Sequence, residues 1–182
     1  MEFALLFLPL LASITSGFFG KYIGDRNSEI VTCLFVSISA LLSLIIFYQV
    51  IVNGYENNIV IATWINSGTL DVNWSIKVDA LSSVMLVVVT LVSSLVHIYS
   101  IGYMSHDPHK PRFMAYLSLF TFAMLTLVTS DNFLQLFFGW EGVGLCSYFL
   151  IGFWFKKDSA NAAAIKAFVV NRVGDFGFAL GI

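Results

Sequence analysis

Long runs of apolar residues, separated by short polar segments, make up most of this chain. Each run is close to the ~20 residues that a helix needs to cross the hydrocarbon core of a bilayer. The runs are continuous, whereas the strands of a membrane barrel alternate polar and apolar residues over about ten positions. The pattern predicts about six transmembrane helices, at residues 3–19, 30–52, 80–103, 113–130, 132–155 and 160–182.

The segment 53–79 is the sizeable polar interruption between these runs. Residues 70–79 alternate apolar and polar side chains, which is typical of a half-buried strand. Residues 59–65 form a plausible partner strand, with 66–69 as the turn. We therefore expect a small extramembrane β-hairpin on the outer face, with the indoles of Trp64 and Trp74 at the membrane interface.

Basic residues mark every second loop and predict the orientation. They follow the first, third and fifth apolar runs: Lys21, Arg26, Lys110, Arg112, Lys156 and Lys157. By the positive-inside rule, the loops 21–29, 105–112 and 156–159 are cytoplasmic and the N-terminus is outside. The first run follows Met1-Glu2, which is acidic rather than basic, so we expect a retained helix rather than a cleaved signal peptide.

The composition assigns the chain to the all-α integral membrane proteins. It is 58% hydrophobic and 11% charged, with a mean hydropathy of +0.86, whereas soluble domains carry roughly 25% charged residues. No basic cluster suits nucleic acid, and the lipid bilayer is the expected surroundings of most side chains.

The cysteines and histidines do not predict a cofactor site. Cys33 and Cys146 lie apart inside apolar runs, so an iron–sulfur or zinc site is not expected. His106 and His109 have too few potential ligands near them for a metal site. His97 is interpreted as an interfacial residue near the cytoplasmic end of the third run. The chain also lacks glycine-rich nucleotide loops.

Glu141 is the only charged residue between Asn132 and Phe155. An ionised side chain near the middle of a membrane costs at least ~2.5–3.5 kcal/mol, so such residues usually mark proton or ion pathways. The alternative is a buried carboxyl that only joins helices by hydrogen bonds. The glycines 139, 142 and 144 around it would permit a bent helix, or close approach by another helix or water.

Arg172 and Asp175 lie in the sixth run, three residues apart and therefore on one helix face. Glu141 lies 15 residues before Lys156, and Asp175 lies 15 residues after Ala160. Both carboxylates are therefore expected about 22 Å along a helix from the same cytoplasmic loop, at the same depth in the membrane. Two carboxylates at matching depth with one cation can hold a shared proton whose position responds to nearby charge. The alternative is a structural ion pair. The sequence leaves open whether the two helix faces meet.

Three segments carry a family resemblance. GWEGVGLCSYFLIGFW (139–154), AAAIKAFVVNRVGDFGF (162–178) and VDALSSVMLVVVTLVSSLVHIYSIGYM (78–104) resemble the antiporter-like chain L of proton-pumping NADH:quinone oxidoreductase, respiratory complex I, whose mitochondrial counterpart is chain 5. The apolar runs predict N-terminal transmembrane helices at 1–63. The resemblance runs from about Trp64 to Gly181, and it implies the chain 5/L N-terminal module at 64–114 and the truncated start of the proton-translocating antiporter-like module at 131–182. It thus implies an N-terminal fragment.

The resemblance also implies a function, as a translocase subunit that couples electron transfer from NADH to quinone with proton translocation. Glu141, Asp175 and Arg172 would form its proton-translocation network. Other membrane-arm subunits would be its partners. NADH, FMN, iron–sulfur clusters and quinone would be handled by other subunits, in a bacterial plasma membrane or alternatively a mitochondrial inner membrane. The other candidates are the large subunit of a multisubunit sodium/proton antiporter, a family that also looks similar around Glu141, and a membrane scaffold without transport.

Overall fold

The computed structural model describes residues 1–68 and 70–182. Most of this part of the chain is helical, and one antiparallel hairpin lies between the second and third helices. The elements, in chain order, are α1 (Glu2–Ile23), α2 (Asp25–Asn53), β1 (Asn57–Ser67), β2 (Leu70–Val78), α3 (Ala80–Tyr103), α4 (Lys110–Val128), α5 (Phe133–Ile151) and α6 (Asp158–Gly181).

Among the described residues, helices α1 to α5 are long and apolar enough to cross a membrane. Helix α6 is equally long, at 24 residues, but it is less apolar. Its sequence contains four charged residues, Asp158, Lys166, Arg172 and Asp175. The expected all-α membrane architecture is therefore present, with five helices of membrane-spanning composition and a sixth whose charges lower its hydropathy.

The boundary between α1 and α2 differs from the predicted cytoplasmic loop at 21–29. Both helices extend into that segment, and Gly24 alone separates them. Gly24 has φ of +86°, a conformation that glycine adopts without steric cost. The polar residues on either side of Gly24 are helical. A helix can extend beyond the apolar part of its sequence, because its backbone N–H and C=O groups bond to each other whether or not the side chains reach water.

Hydroxyl groups join helices α2 and α3. Ser43 Oγ lies 2.8 Å from Thr90 Oγ1, and Ser37 Oγ lies 3.0 Å from Ser94 Oγ. Small polar residues let helix backbones approach closely inside a membrane, and their hydrogen bonds link neighbouring helices. Towards the predicted outer side, these contacts give way to a buried apolar cluster formed by Leu5, Leu6, Ile46, Val50, Ile76, Val78, Leu86 and Leu125.

The hairpin predicted from the alternating pattern is present. Strands β1 and β2 pair antiparallel from Asn57↔Val78 to Ser67↔Leu70, with two irregularities in register. Gly68 in the turn has φ of +62°, while Thr69, the last residue of the predicted turn, lies outside the described residues. Trp64 and Trp74 pack edge to face on each other, with ring centroids 5.3 Å apart.

The end of the hairpin determines where α3 begins. The amide of Ser82 donates to Asp79 Oδ1 at 2.8 Å, and the amide of Asp79 donates to Ser82 Oγ at 2.8 Å. This capping box satisfies amides that the first helical turn leaves free. The hydrogen bond from Ser82 also holds the pKa of the Asp79 carboxyl below its ordinary value. The predicted and observed helices therefore both begin at residue 80.

The hairpin is also anchored to the start of α5. Gln135 is fully buried, accepts a hydrogen bond from the amide of Ser75 at 3.0 Å, and donates to the Ser75 carbonyl at 2.7 Å. Asn132 Nδ2 donates to the Asn73 carbonyl at 2.8 Å. These bonds fix the end of α5 that lies two turns before Glu141, and so they help to position the site described next.

Candidate functional site

Helix α5 presents Glu141 from an unbroken helix. The Asn132 side chain accepts a hydrogen bond from the amide of Gln135 at 2.8 Å and caps the helix start. The glycines around Glu141 do not interrupt the helix, which runs without a break from Phe133 to Ile151. Gly139 instead provides close approach, because a Cβ at that position would lie 2.7 Å from Leu127 Cα and N on α4.

Arg172 joins the two carboxylates named from the sequence. Its Nη1 donates to Glu141 Oε2 on α5, and the same nitrogen lies 3.6 Å from Asp175 Oδ2 on α6. The helix faces do meet, therefore, and the meeting point is the guanidinium group. One cation is shared between two anions that are 34 positions apart in the sequence.

A second contact to Asp175 could not be inferred from the spacing of charges. The indole Nε1 of Trp140 donates to Asp175 Oδ1 at 2.9 Å. Trp140 directly precedes Glu141, so consecutive residues of α5 each contact the charged pair of α6. The sequence offers only a general indication of this bond, because a buried indole N–H usually has a hydrogen-bond acceptor, whose identity the sequence does not show.

The three charged side chains differ in exposure. The side chain of Asp175 is 8% exposed, that of Glu141 22%, and that of Arg172 44%. The Arg172 guanidinium carbon lies 4.5 Å from the centroid of the Phe168 ring, one turn earlier on α6. A cation–π contact of this kind stabilises an arginine without neutralising it. The shared cation thus lies at the open side of the cluster, and the aspartate lies at its closed side.

His97 lies in the interior of the bundle, contrary to the interfacial position expected from the sequence. It is fully buried, Nδ1 lies 2.8 Å from the Ser93 carbonyl, and Nε2 lies 3.0 Å from Ser118 Oγ. A carbonyl can only accept, so Nδ1 carries a proton, and Nε2 of a neutral ring accepts from Ser118. The burial of His97 could not be predicted, because a long apolar run does not show which face of the helix points into the bundle.

Metal ligands do not converge in the part of the chain that the structure describes. No group of three or more histidine, cysteine, aspartate or glutamate side chains is placed to hold an ion there. Both cysteines are free thiols. The absence of a cofactor from this chain stays a prediction.

Two family models match the chain, and the second of them covers the site. Residues 64–114 match "NADH-Ubiquinone oxidoreductase (complex I), chain 5 N-terminus". Residues 130–182, which include Trp140, Glu141, Arg172 and Asp175, match "NADH:quinone oxidoreductase/Mrp antiporter, TM".

Curated relatives cover the whole chain. It is 59% identical over 182 residues to NADH-ubiquinone oxidoreductase chain 5 of Arabidopsis thaliana. The chain belongs to the NADH:quinone oxidoreductase chain 5/subunit L family. A bacterial member, subunit L of Rickettsia bellii (strain RML369-C), is 56% identical over 178 residues and covers 98% of this chain. The chain spans 27% of the length of the plant relative and 28% of the bacterial one.

Solved structures share the fold at lower identity. The archaeal membrane-bound sulfane sulfur reductase superposes with a TM-score of 0.83 at 19% identity, covering 100% of this chain and 36% of that chain. The Mrp complex from Dietzia sp. DQ12-45-1b superposes with a TM-score of 0.78 at 23% identity, covering 98% of this chain and 18% of that chain. The chain 5/subunit L family member described here therefore shares its helix arrangement with part of one chain in each of these structures.

Proposed function

We propose that this chain is part of a membrane-arm subunit of NADH:quinone oxidoreductase, which couples electron transfer from NADH to quinone with proton translocation. The names of its relatives support this function. The observation that carries it is the sharing of Arg172 between Glu141 and Asp175, within the segment that matches the antiporter family model. Ionisable residues between apolar helices are energetically costly, and in membrane proteins they usually mark proton or ion pathways.

The cluster can exist in two arrangements that differ in charge placement. With both carboxylates ionised, one guanidinium faces two anions. When a proton neutralises either carboxyl, the guanidinium gains by moving towards the one that remains ionised. A proton arriving at Glu141 thereby changes the surroundings of Asp175, and the reverse also holds. Such a two-state element can transmit a protonation event from one helix to its neighbour.

The same proposal assigns the remaining chemistry to other subunits. NADH, FMN, iron–sulfur clusters and quinone would be bound elsewhere, and other membrane-arm subunits and the bilayer would surround this chain. Residues 1–63 would be the N-terminal transmembrane helices, 64–114 the chain 5/L N-terminal module, and 131–182 the start of the antiporter-like module. The basic loops would face the cytoplasm, or the corresponding compartment of a mitochondrion, since relatives come from a plant and from Rickettsia.

The direct test is Glu141→Gln, which keeps the shape of the side chain and removes its titratable proton. We expect the complex to assemble, while proton translocation per NADH oxidised falls sharply. Asp175→Asn should reduce translocation less, because its amide oxygen can still accept from Trp140. Glu56→Gln is the matched control, since Glu56 is exposed in the segment between α2 and β1.

The measurement is proton translocation per NADH in membranes that contain equal amounts of the complex. Normal translocation in Glu141→Gln would refute the proposed role of this glutamate. The description of the second family model also favours another candidate, a large subunit of a multisubunit sodium/proton antiporter. Sodium/proton exchange in sealed vesicles without NADH would favour that alternative.

A further inference from the structure

The two carboxylate oxygens of Asp175 have different partners, one on each helix. Oδ1 accepts the hydrogen bond of Trp140 Nε1 at 2.9 Å, and Oδ2 lies 3.6 Å from Arg172 Nη1. The first partner belongs to α5 and the second to α6 itself. The plane of the carboxyl group is therefore set by a neutral donor from outside its own helix.

The 3.6 Å separation is long for a charge-assisted hydrogen bond, which usually has about 2.7–2.9 Å between the heavy atoms. Arg172 and Asp175 are three residues apart on one helix, and this spacing allows a close ion pair. The guanidinium is instead hydrogen-bonded to Glu141 across the interface. The indole of Trp140, bonded to Oδ1, is placed to keep the Asp175 carboxyl from closing on the arginine beside it.

The Trp140 ring is itself held against α6. It meets the Phe178 ring edge to face, with centroids 6.4 Å apart and an interplanar angle of 89°. The Phe178 ring also packs on the ring of Phe137 of α5, with centroids 5.5 Å apart. In α6, Asp175 and Ala164 are the two buried residues. The indole and the carboxyl therefore form one of the few fixed points between these helices.

We propose that Trp140 is a positioning residue that holds the Asp175 carboxyl away from Arg172, so that the arginine stays shared with Glu141. This inference rests on the proposed function. Without the indole N–H, Oδ1 loses its donor, and the carboxyl can rotate to close on Arg172. The arginine is then drawn from Glu141, and protonation of the glutamate has less effect on α6.

The test is Trp140→Phe, which keeps an aromatic ring and removes the donor. We expect normal complex content and a loss of about three- to tenfold in proton translocation per NADH, the range by which one hydrogen bond shifts an equilibrium. Trp154→Phe is the matched control, because Trp154 Nε1 donates to Asp107 Oδ2 at the same 2.9 Å, outside the cluster. The control should translocate protons normally.

Two further variants separate positioning from simple packing. In an Asp175→Ala background the indole has no acceptor, so adding Trp140→Phe should cause no further loss. Trp140→His retains a ring N–H and should recover part of the translocation lost in Trp140→Phe. If Trp140→Phe fails to accumulate, recovery of content and translocation in Trp140→His still supports the proposal, and failure of the histidine variant to translocate overturns it.

The outcomes distinguish this inference from the proposed function. Loss in Glu141→Gln together with normal translocation in Trp140→Phe would overturn the role of Trp140 and leave the proposed function intact. Normal translocation in Glu141→Gln would overturn both. In the double variant, the loss of translocation caused by Trp140→Phe could instead add fully to the loss caused by Asp175→Ala. That result would also contradict the positioning role, since the indole would then act independently of the aspartate.

Discussion

Helices α2 to α4 are joined through hydroxyl groups and one histidine, whereas helices α5 and α6 are joined through an arginine shared by two carboxylates. In the first region Ser43, Thr90 and His97 are buried, and each has its partner inside the bundle. In the second region the central cation, Arg172, has a side chain that is 44% exposed. Neutral polar contacts thus lie in the interior, while the charged contacts lie at the open edge.

The difference indicates which part of the molecule is built to stay fixed. A neutral hydrogen bond between membrane helices contributes little, and neither of its partners carries a charge that a proton could change. The best position of a cation between two anions depends on which anion binds a proton, because the cation is attracted to the one that stays ionised. We therefore expect α1–α4 to act as a scaffold and the α5–α6 contact to respond to charge. Three tests, in order of decreasing effect, address this comparison.

The largest effect should come from Gly139→Ala, because the added methyl group would push helix α5, which carries Glu141, away from α4 of the scaffold. The added Cβ would lie 2.7–2.8 Å from Leu127 Cα, N and Cβ, and no side-chain rotation can relieve contacts of that kind. We expect a loss of about 3 kcal/mol in folding free energy, at the upper end of overpacking effects. The measurement is unfolding of the purified protein in detergent.

Gly177→Ala is the control for that substitution, because a Cβ at Gly177 of α6 would have no atom within 4 Å. It should be neutral or slightly stabilising, since alanine favours the helix more than glycine does. Equal destabilisation by both alanines would contradict the view that α4 and α5 are in fixed contact at Gly139.

The second effect concerns Arg172→Ala, which removes the cation and leaves two carboxylates facing each other. Breaking a buried pair typically costs 3–5 kcal/mol, and the partial exposure of Arg172 lowers our expectation to about 2 kcal/mol. The main result should be reduced content of the assembled complex, which blue native gels measure. Lys166→Ala, an exposed cation on the same helix, should leave the content unchanged. A normal content in Arg172→Ala would show that the cluster does not hold the two helices.

The sequence was sufficient for the number and order of the elements, but not for the boundary between α1 and α2 or for the rotation of the helices against one another. Continuous apolar runs predicted the helices, and the alternation of residues 70–79 predicted strand β2. Glu141, Arg172 and Asp175 could be named because charges are rare in such runs. Their contact through Arg172, the bond from Trp140 and the burial of His97 could not be predicted. An apolar run looks similar on every face, so its pattern does not show which face meets a neighbour.

The smallest effect should come from Ser43→Ala and Thr90→Ala, which test the scaffold. The two hydroxyls lie 2.8 Å apart, but each also lies close to a carbonyl of its own helix, at 2.8 Å for Ser43 and 2.7 Å for Thr90. Each hydroxyl therefore keeps an acceptor when its partner is removed. We expect a coupling energy of about 0.6 kcal/mol between the two sites, the average for such bonds in a membrane protein.

A double-mutant cycle on unfolding in detergent measures that coupling, with proton translocation recorded in parallel. Translocation should remain normal in both single variants, because neither hydroxyl contacts the charged cluster. A loss of translocation similar to that of Glu141→Gln, at unchanged stability, would contradict the comparison, since the hydroxyl contacts would then belong to the responsive part of the molecule. A small coupling energy with normal translocation instead supports the argument that the hydroxyl contacts take no part in the response and that response to charge requires the shared arginine.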